Sequence, residues 1–461
     1  EKPKCETRAS ALSLLDAALG VEAADERDQA LVELEECAGL PAGFVRSLRA
    51  ELGPRECADA LIEPYLAKEV AGMEGAIKPA LVGQALAARL TRTASAPPTL
   101  KAPFTKARVL EFSKGPMLGW MKTQGEAVQE LSRSGAGLSY YGKGVVALAA
   151  GTADMRMVDA VRQVPIPDEF KTDPELAEAY YASLDEQLEP RKTRGRDAAL
   201  VGLREFAFAG IIFDDRVVAA RMLLAKLFGG RRVDALDALL LPPRSAPDLS
   251  TEGARLAARL PTFHAGLVLT PELVSDPKVL AALAHKGLPV PHRVRLKEDE
   301  ARLTNEQRVI VGTARLLMGI QFWRDEDFDA AAALLAKVEP RAGEPRFLLA
   351  LAQGLRRGPD DVAKLMLQNE GFGSGFGDVR ALDVVASEQA SEAIGARAAY
   401  DAAVIRQIAA PRDAKAEYWE ALAKRYEKAE SMLGDPTAKL EAHQRAKAAH
   451  ATAAVLAKSE R

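Results

Sequence analysis

Residues 310–338 read IVGTARLLMGIQFWRDEDFDAAAALLAKV, and residues 200–227 read LVGLREFAFAGIIFDDRVVAARMLLAKL. One inserted residue brings the two into register. Each opens on a Val-Gly pair (Val311-Gly312; Val201-Gly202) and crosses a bulky, acidic stretch (Phe322-Trp323-Arg324-Asp325; Phe213-Asp214-Asp215). Each closes on Leu-Leu-Ala-Lys, at Leu334-Leu335-Ala336-Lys337 and Leu223-Leu224-Ala225-Lys226. Apolar residues recur at helical spacing on both sides of a polar turn, which predicts helix, turn and helix. A unit of this kind that recurs along a chain is the mark of stacked helical hairpins.

The rest of the chain agrees with an all-α reading. It has 461 residues, more than one compact core accommodates. Hydrophobic residues make up 48% and charged residues 28%, as in folded chains, while aromatics are only 5%. Strong helix formers dominate over the β-branched and aromatic residues that strands prefer. The expected architecture is an α-solenoid of antiparallel helical hairpins behind a small N-terminal helical domain. Glycine and proline punctuation divides it as follows: a helical domain at 1–92, a Pro-rich linker at 93–107 containing Ser95-Ala96-Pro97-Pro98, hairpin repeats at 108–242 and 243–370, a Gly-rich loop at 371–379, and C-terminal hairpins at 380–461. Segments 142–165 and 345–367 read as weaker hairpins.

The second copy resembles the tetratricopeptide repeat, a helix–turn–helix unit of about 34 residues. That family's pattern runs Trp, then Leu-Gly, then Tyr, followed by a small residue, an aromatic and a closing Pro. Here Met318 and Gly319 stand at the Leu-Gly positions, Phe322 at the Tyr, Ala331 at the small residue and Pro340 near the closing Pro. Arg315 replaces the usual Trp, and Leu335 the second aromatic. Trp419, Leu422, Ala423 and Tyr426 match the first-helix pattern again. The resemblance implies that Gly319 and Ala331 let two helices approach, that Phe322 and Leu335 fill the groove to the next hairpin, and that Trp419 and Tyr426 pack likewise.

Cys5, Cys37 and Cys57 are the only cysteines. Ala9 to Leu19 and Glu26 to Cys37 read as two helices joined near Gly20-Val21. Positions equidistant from the turn of an antiparallel hairpin face each other, so Cys5 and Cys37 are placed to form a disulfide, worth about 3 kcal/mol in the chain-entropy picture. That pairing leaves Cys57 over; the alternative is three unrelated small core residues. No Cys/His cluster has metal spacing, so no metal is expected.

Charge and motif content narrow the function. The formal charge is −3, and the densest basic stretch, Arg191-Lys192-Thr193-Arg194-Gly195-Arg196, reads as a solvated loop. There is no basic stripe with interleaved aromatics, so no nucleic-acid partner is expected. No apolar run reaches the roughly 18 residues a membrane span needs. The chain opens at Glu1, so an upstream signal peptide or lipid anchor is an open alternative, and a periplasmic, envelope or secreted setting is favoured over the cytoplasm. Nucleophile-elbow, zinc-peptidase and calcium-loop motifs do not occur. The five histidines are scattered, and neither the Gly371–Gly377 run nor any other stretch has a phosphate-loop context, so no cofactor is expected.

The function these features favour is a non-enzymatic scaffold that binds a peptide or protein partner through a concave helical surface. Arg315 and Trp323 are the expected contacts: Trp323 lies off the Phe322 face, where it is either open to solvent or caps the hairpin by packing on the next unit. Phe372 and Phe376, on the Gly-rich loop, are the next candidates. The alternatives are an envelope structural component and a glycan-processing enzyme with an unrecognised site.

Overall fold

A computed structural model describes residues 5–67, 73, 75–229, 236–356, 378–411 and 413–459. The protein is 75% helical, and no strand forms among the described residues. It divides into two compact units: Glu1–Leu227 with Leu249–His292, and Phe228–Asp248 with Arg293–Arg461.

The first unit opens with α1 (Arg8–Leu19), α2 (Ala24–Val32), α3 (Phe44–Leu52), α4 (Ala58–Leu66) and α5 (Ile77–Thr93). Thr7 caps α1 by accepting from Ser10 N. Cys5 and Cys37 stand at disulfide distance with Cα atoms 5.5 Å apart, and Cys57 is a free, exposed thiol. Two amphipathic surface helices follow the Pro-rich segment: α6 (Lys106–Phe112) runs through a wide π-turn at Ser113–Met117, which absorbs Pro116, into α7 (Leu118–Gly135).

The centre of the unit is α8 (Tyr140–Arg162), packed against α5 and the 36-residue α9 (Pro174–Ala209). Here the structure corrects two sequence readings. The weak hairpin expected at 142–165 is one continuous helix. Its glycines mark close crossings, not breaks: a Cβ on Gly142 would overlap Pro79 O of α5, and one on Gly151 would come within 2.5 Å of Ala199 N of α9. Nor is the Arg191–Arg196 stretch a solvated loop. It lies inside α9, and Arg194 Nε donates to Asp154 Oδ2 of α8 at 2.6 Å while Arg191 Nη1 reaches Asp154 Oδ1 at 3.2 Å. Asp154 is 1% exposed, so its two arginines supply the compensation that burial of a carboxylate requires.

Gly210, in the left-handed region at φ 82°, ends α9, and Asp214 caps α10 (Asp215–Leu224). The 200–227 stretch does form helix, turn and helix, yet α10 packs chiefly on α8 rather than folding back on α9. The chain then returns to its beginning. Helix α11 (Glu252–Arg259) packs on α1, where Arg255 Nε and Arg259 Nη1 donate to the Asp16 carboxylate at 2.8 and 2.7 Å. Helices α12 (Thr262–Val268) and α13 (Pro277–Ala284) complete the unit.

The second unit carries α14 (Asn305–Phe322), α15 (Asp325–Leu335), α16 (Glu344–Leu355), α17 (Arg380–Glu388), α18 (Ala393–Ile408), α19 (Ala416–Met432) and α20 (Pro436–Ser459). A capping box starts α14: Thr304 Oγ1 accepts from Gln307 N, and Gln307 Oε1 accepts from Thr304 N. The 310–338 stretch is a tight hairpin. A Cβ on Gly319 would meet Phe328 Cδ1 at 2.6 Å, and one on Gly312 would meet Leu335 Cγ at 2.8 Å, so both glycines set how closely α14 and α15 approach. An alanine face on α20 (Ala438, Ala442, Ala446, Ala449, Ala453) buries against α19.

Candidate functional site

The first unit contains a cavity of about 500 Å³ between α3, α5, α7, α8 and α10. That is within the size range of small-ligand and peptide-end pockets. Alanine is the commonest residue of its walls, including Ala87 and Ala88 on α5 and Ala149 and Ala153 on α8. Small side chains at these helix positions keep the backbones close while leaving the space unfilled.

One side is closed by the Pro-rich segment. Trp120 Nε1 donates to Ser95 O at 3.0 Å, and Gln124 Nε2 donates to Thr93 O at 3.0 Å. Ala94, Ser95 and Pro97 thereby line the cavity. The far end of the segment is held as well: Asp168 N donates to Phe104 O at 2.8 Å, and Phe104 N to Asp168 Oδ2 at 3.1 Å. The stretch expected to be a plain linker is tied down at both ends.

The floor is a buried polar network. Arg216 Nη2 donates to Glu51 Oε1 at 2.8 Å and to Asp214 Oδ2 at 2.6 Å, and Arg216 Nε donates to Asp214 Oδ1 at 2.9 Å. Tyr141 Oη donates to Glu51 Oε2 at 2.7 Å, Gln84 Nε2 reaches the same oxygen at 3.3 Å, and Arg55 Nη2 donates to Glu51 Oε1 at 2.9 Å. Behind them Ser47 Oγ donates to Gln84 Oε1 at 3.0 Å and lies 3.0 Å from His264 Nε2. The Tyr141 ring stacks on Phe263 with centroids 4.3 Å apart.

Burial pushes the Glu51 carboxyl up, but Arg216 and then Arg55 more than offset this, so it lies below the usual range and is ionised. Burial drives the Tyr141 phenol well above its ordinary value, so it stays a neutral donor. Burial lowers Arg216, and Glu51, Tyr141 and Asp214 together raise it further, so it stays charged. Burial also pushes His264 down to about 4. Glu51, Tyr141, Arg216 and His264 are all held away from neutral pH, and the Glu51 carboxylate accepts from four different side chains. Such an arrangement holds a fixed charge pattern; it is poorly suited to moving protons.

The residues singled out from sequence lie elsewhere, in the second unit. Of the two alternatives for Trp323 the structure has the packed one, since the residue is 2% exposed. It adopts the left-handed conformation at φ 55° as the C-cap of α14, which turns its ring inward where a regular helical position would aim it off the Phe322 face. Arg315 is half-buried and pairs with Asp327, a carboxylate at 0% exposure that Arg324 also approaches at 3.0 Å. Phe322, Gly319, Ala331 and Leu335 are all buried within the α14–α15 hairpin. Tyr426 is buried beside Tyr400 with centroids 5.8 Å apart, and Trp419 is half-buried. Phe372 and Phe376 lie outside the described residues.

Glu51, Trp120, Gln124, Tyr141, Arg156 and Arg216 were not legible from sequence as a group. One available signal was the pair Gly83 and Gly142, far apart in the chain and each inside a helical stretch; a Cβ on Gly83 would fall 2.5 Å from Gly142 O. Among the described residues no group of histidine, cysteine and carboxylate side chains is arranged to hold a metal ion. Fold and cavity together define an all-helical protein with a partly polar pocket in its first unit. Comparison with protein-family models, with curated proteins and with solved structures finds no match.

Proposed function

We propose that the protein is a non-enzymatic interaction scaffold that binds a peptide segment, with the cavity of the first unit as the binding site. One observation carries the reading: an unfilled space of about 500 Å³ between packed helices, floored by a charge-saturated network. Interiors are ordinarily close-packed, so an opening of this size with convergent polar groups is a site rather than a packing fault. The alanines of the lining leave room for a narrow chain, and Trp120 at the wall supplies an aromatic contact of the type that anchors partners.

In the second unit, α14, α15 and α16 pack consecutively, and we read them as stacked hairpins of a repeat array. Among the described residues no helix is long and apolar enough to cross a membrane.

The test is peptide selection from a random library against two immobilised proteins, the natural chain and Ala149→Trp, which fills the cavity from α8. Peptides enriched on the natural chain and lost on the filled variant support the reading. Peptides retained equally by a folded Ala149→Trp place binding elsewhere and contradict it.

A further inference from the structure

The cavity's unused polar groups indicate which part of a peptide it takes. Its charged lining comprises three arginines, Arg55, Arg156 and Arg216, against two carboxylates, Glu51 and Asp159. Glu51 is matched by Arg216, and Asp159 by Lys226 Nζ at 2.6 Å. Arg55 spends Nη2 on Glu51, while its Nη1 lies 4.0 Å from Asp215, beyond hydrogen-bond reach. Arg156 is exposed and forms no ion pair or hydrogen bond among the described residues. The lining therefore carries unspent guanidinium donors and no unspent carboxylate.

Gln124 adds a different requirement. It is 6% exposed and lines the cavity, and its Nε2 is committed to Thr93 O. Its carbonyl oxygen accepts from no group among the described residues. A free acceptor open to the cavity beside unspent cationic donors suits a ligand with an N–H donor and an anion on a slim body.

We infer that the cavity receives the free C-terminal end of a peptide, its carboxylate bound by Arg156 and Arg55 and a backbone N–H donated to Gln124 Oε1. This deepens the peptide-binding reading and rests on it. A fatty acid shares the anion and the slim apolar body but offers no N–H to Gln124 Oε1, so it makes one hydrogen bond fewer and is the weaker fit.

The test uses a pool of N-acetylated tetrapeptides of alanine, leucine and glycine, made once as free acids and once as carboxamides. Each pool is equilibrated with the full chain, and retained peptides are counted by mass spectrometry, with decanoate as a third probe. The expected result is at least about tenfold greater retention of the acids, the scale of one charge-assisted contact. Arg156→Gln, an exposed position whose variant should fold normally, should remove most of that preference. Gln124→Leu should weaken the acids while leaving decanoate unchanged. Equal retention of acids and amides overturns the chain-end inference while leaving peptide binding intact. Retention of neither pool overturns both, and decanoate held more tightly than any acid identifies a lipid carboxylate instead.

Discussion

Arg216 and Glu51, 165 residues apart in the chain, meet at 2.8 Å and join α3 to α10 under the floor of the cavity. Their side chains are 18% and 4% exposed, so each is the main compensation for the other's burial. Removing one partner leaves a buried charge unmatched, which costs about 3–5 kcal/mol. Glu51→Gln and Arg216→Gln should each lose stability on that scale, and the double variant should lose clearly less than their sum. Urea denaturation of the four proteins checks this. Strict additivity would mean that the two side chains do not act as a pair.

Trp323→Ala and Phe322→Ala should both behave as core truncations. The two rings are 2% and 4% exposed, and deletion of a buried aromatic costs about 3–5 kcal/mol. Equilibrium unfolding measures both. A Trp323→Ala variant within about 0.5 kcal/mol of the natural chain would place the ring at the surface, contrary to the structure.

Acid should destabilise the first unit before its carboxylates titrate. Burial pushes His264 and His292 from 6.5 down to about 4, so both are neutral in the fold. The unfolded chain takes up their protons below pH 6.5. Stability is therefore full above 6.5 and declines as pH falls toward 4, by about 1.4 kcal/mol per pH unit for each ring. Urea midpoints from pH 7.5 to 5 should fall accordingly, and His264→Gln should flatten the slope. A flat profile above pH 5 would contradict the burial of both rings.

His450 should show the opposite sign. Its Nδ1 lies 2.8 Å from Glu420 Oε2 and its Nε2 lies 2.9 Å from Glu427 Oε1, joining α20 to α19. Hydrogen bonds from Glu427 and Glu420 raise its pKa, so the clamp is complete below the ordinary histidine value and is lost as pH rises through the raised one. In an NMR titration the His450 ring should deprotonate above 6.5, while His264 stays neutral down to about 4. His450 titrating at or below 6.5 would show the clamp is absent in solution.

Non-reducing peptide mapping should recover Cys5 joined to Cys37 and an alkylatable Cys57. Reduction should lower stability by about 3 kcal/mol. A Cys37–Cys57 crosslink would contradict the observed register of α1 and α2.

The helical class and the Cys5–Cys37 pairing were legible because both follow from local periodicity: apolar spacing defines a helix, and symmetry about Gly20-Val21 pairs the two thiols. The hairpin at 310–338 was legible for the same reason. The cavity was not. Glu51, Gln84, Tyr141 and Arg216 sit on four helices that meet through tertiary packing, including the close α5–α8 crossing at Gly83 and Gly142. Glycines inside helices read as breaks from sequence, whereas here they mark where another backbone touches. The choice between a packed and an exposed Trp323 was not legible, because helical periodicity assumes regular dihedrals and this residue has a left-handed φ of 55°.

The protein's three tryptophans give the most direct test of the binding site, because Trp120 lines the cavity while Trp323 and Trp419 lie in the second unit. Each contributes one indole N–H signal in a ¹⁵N-correlated NMR spectrum, assignable with Trp120→Phe. Titration with a selected peptide should shift the Trp120 signal, whose Nε1 holds Ser95 O at the cavity wall, and leave the other two in place. A peptide that binds and shifts Trp323 or Trp419 while Trp120 stays fixed would contradict the cavity as the site.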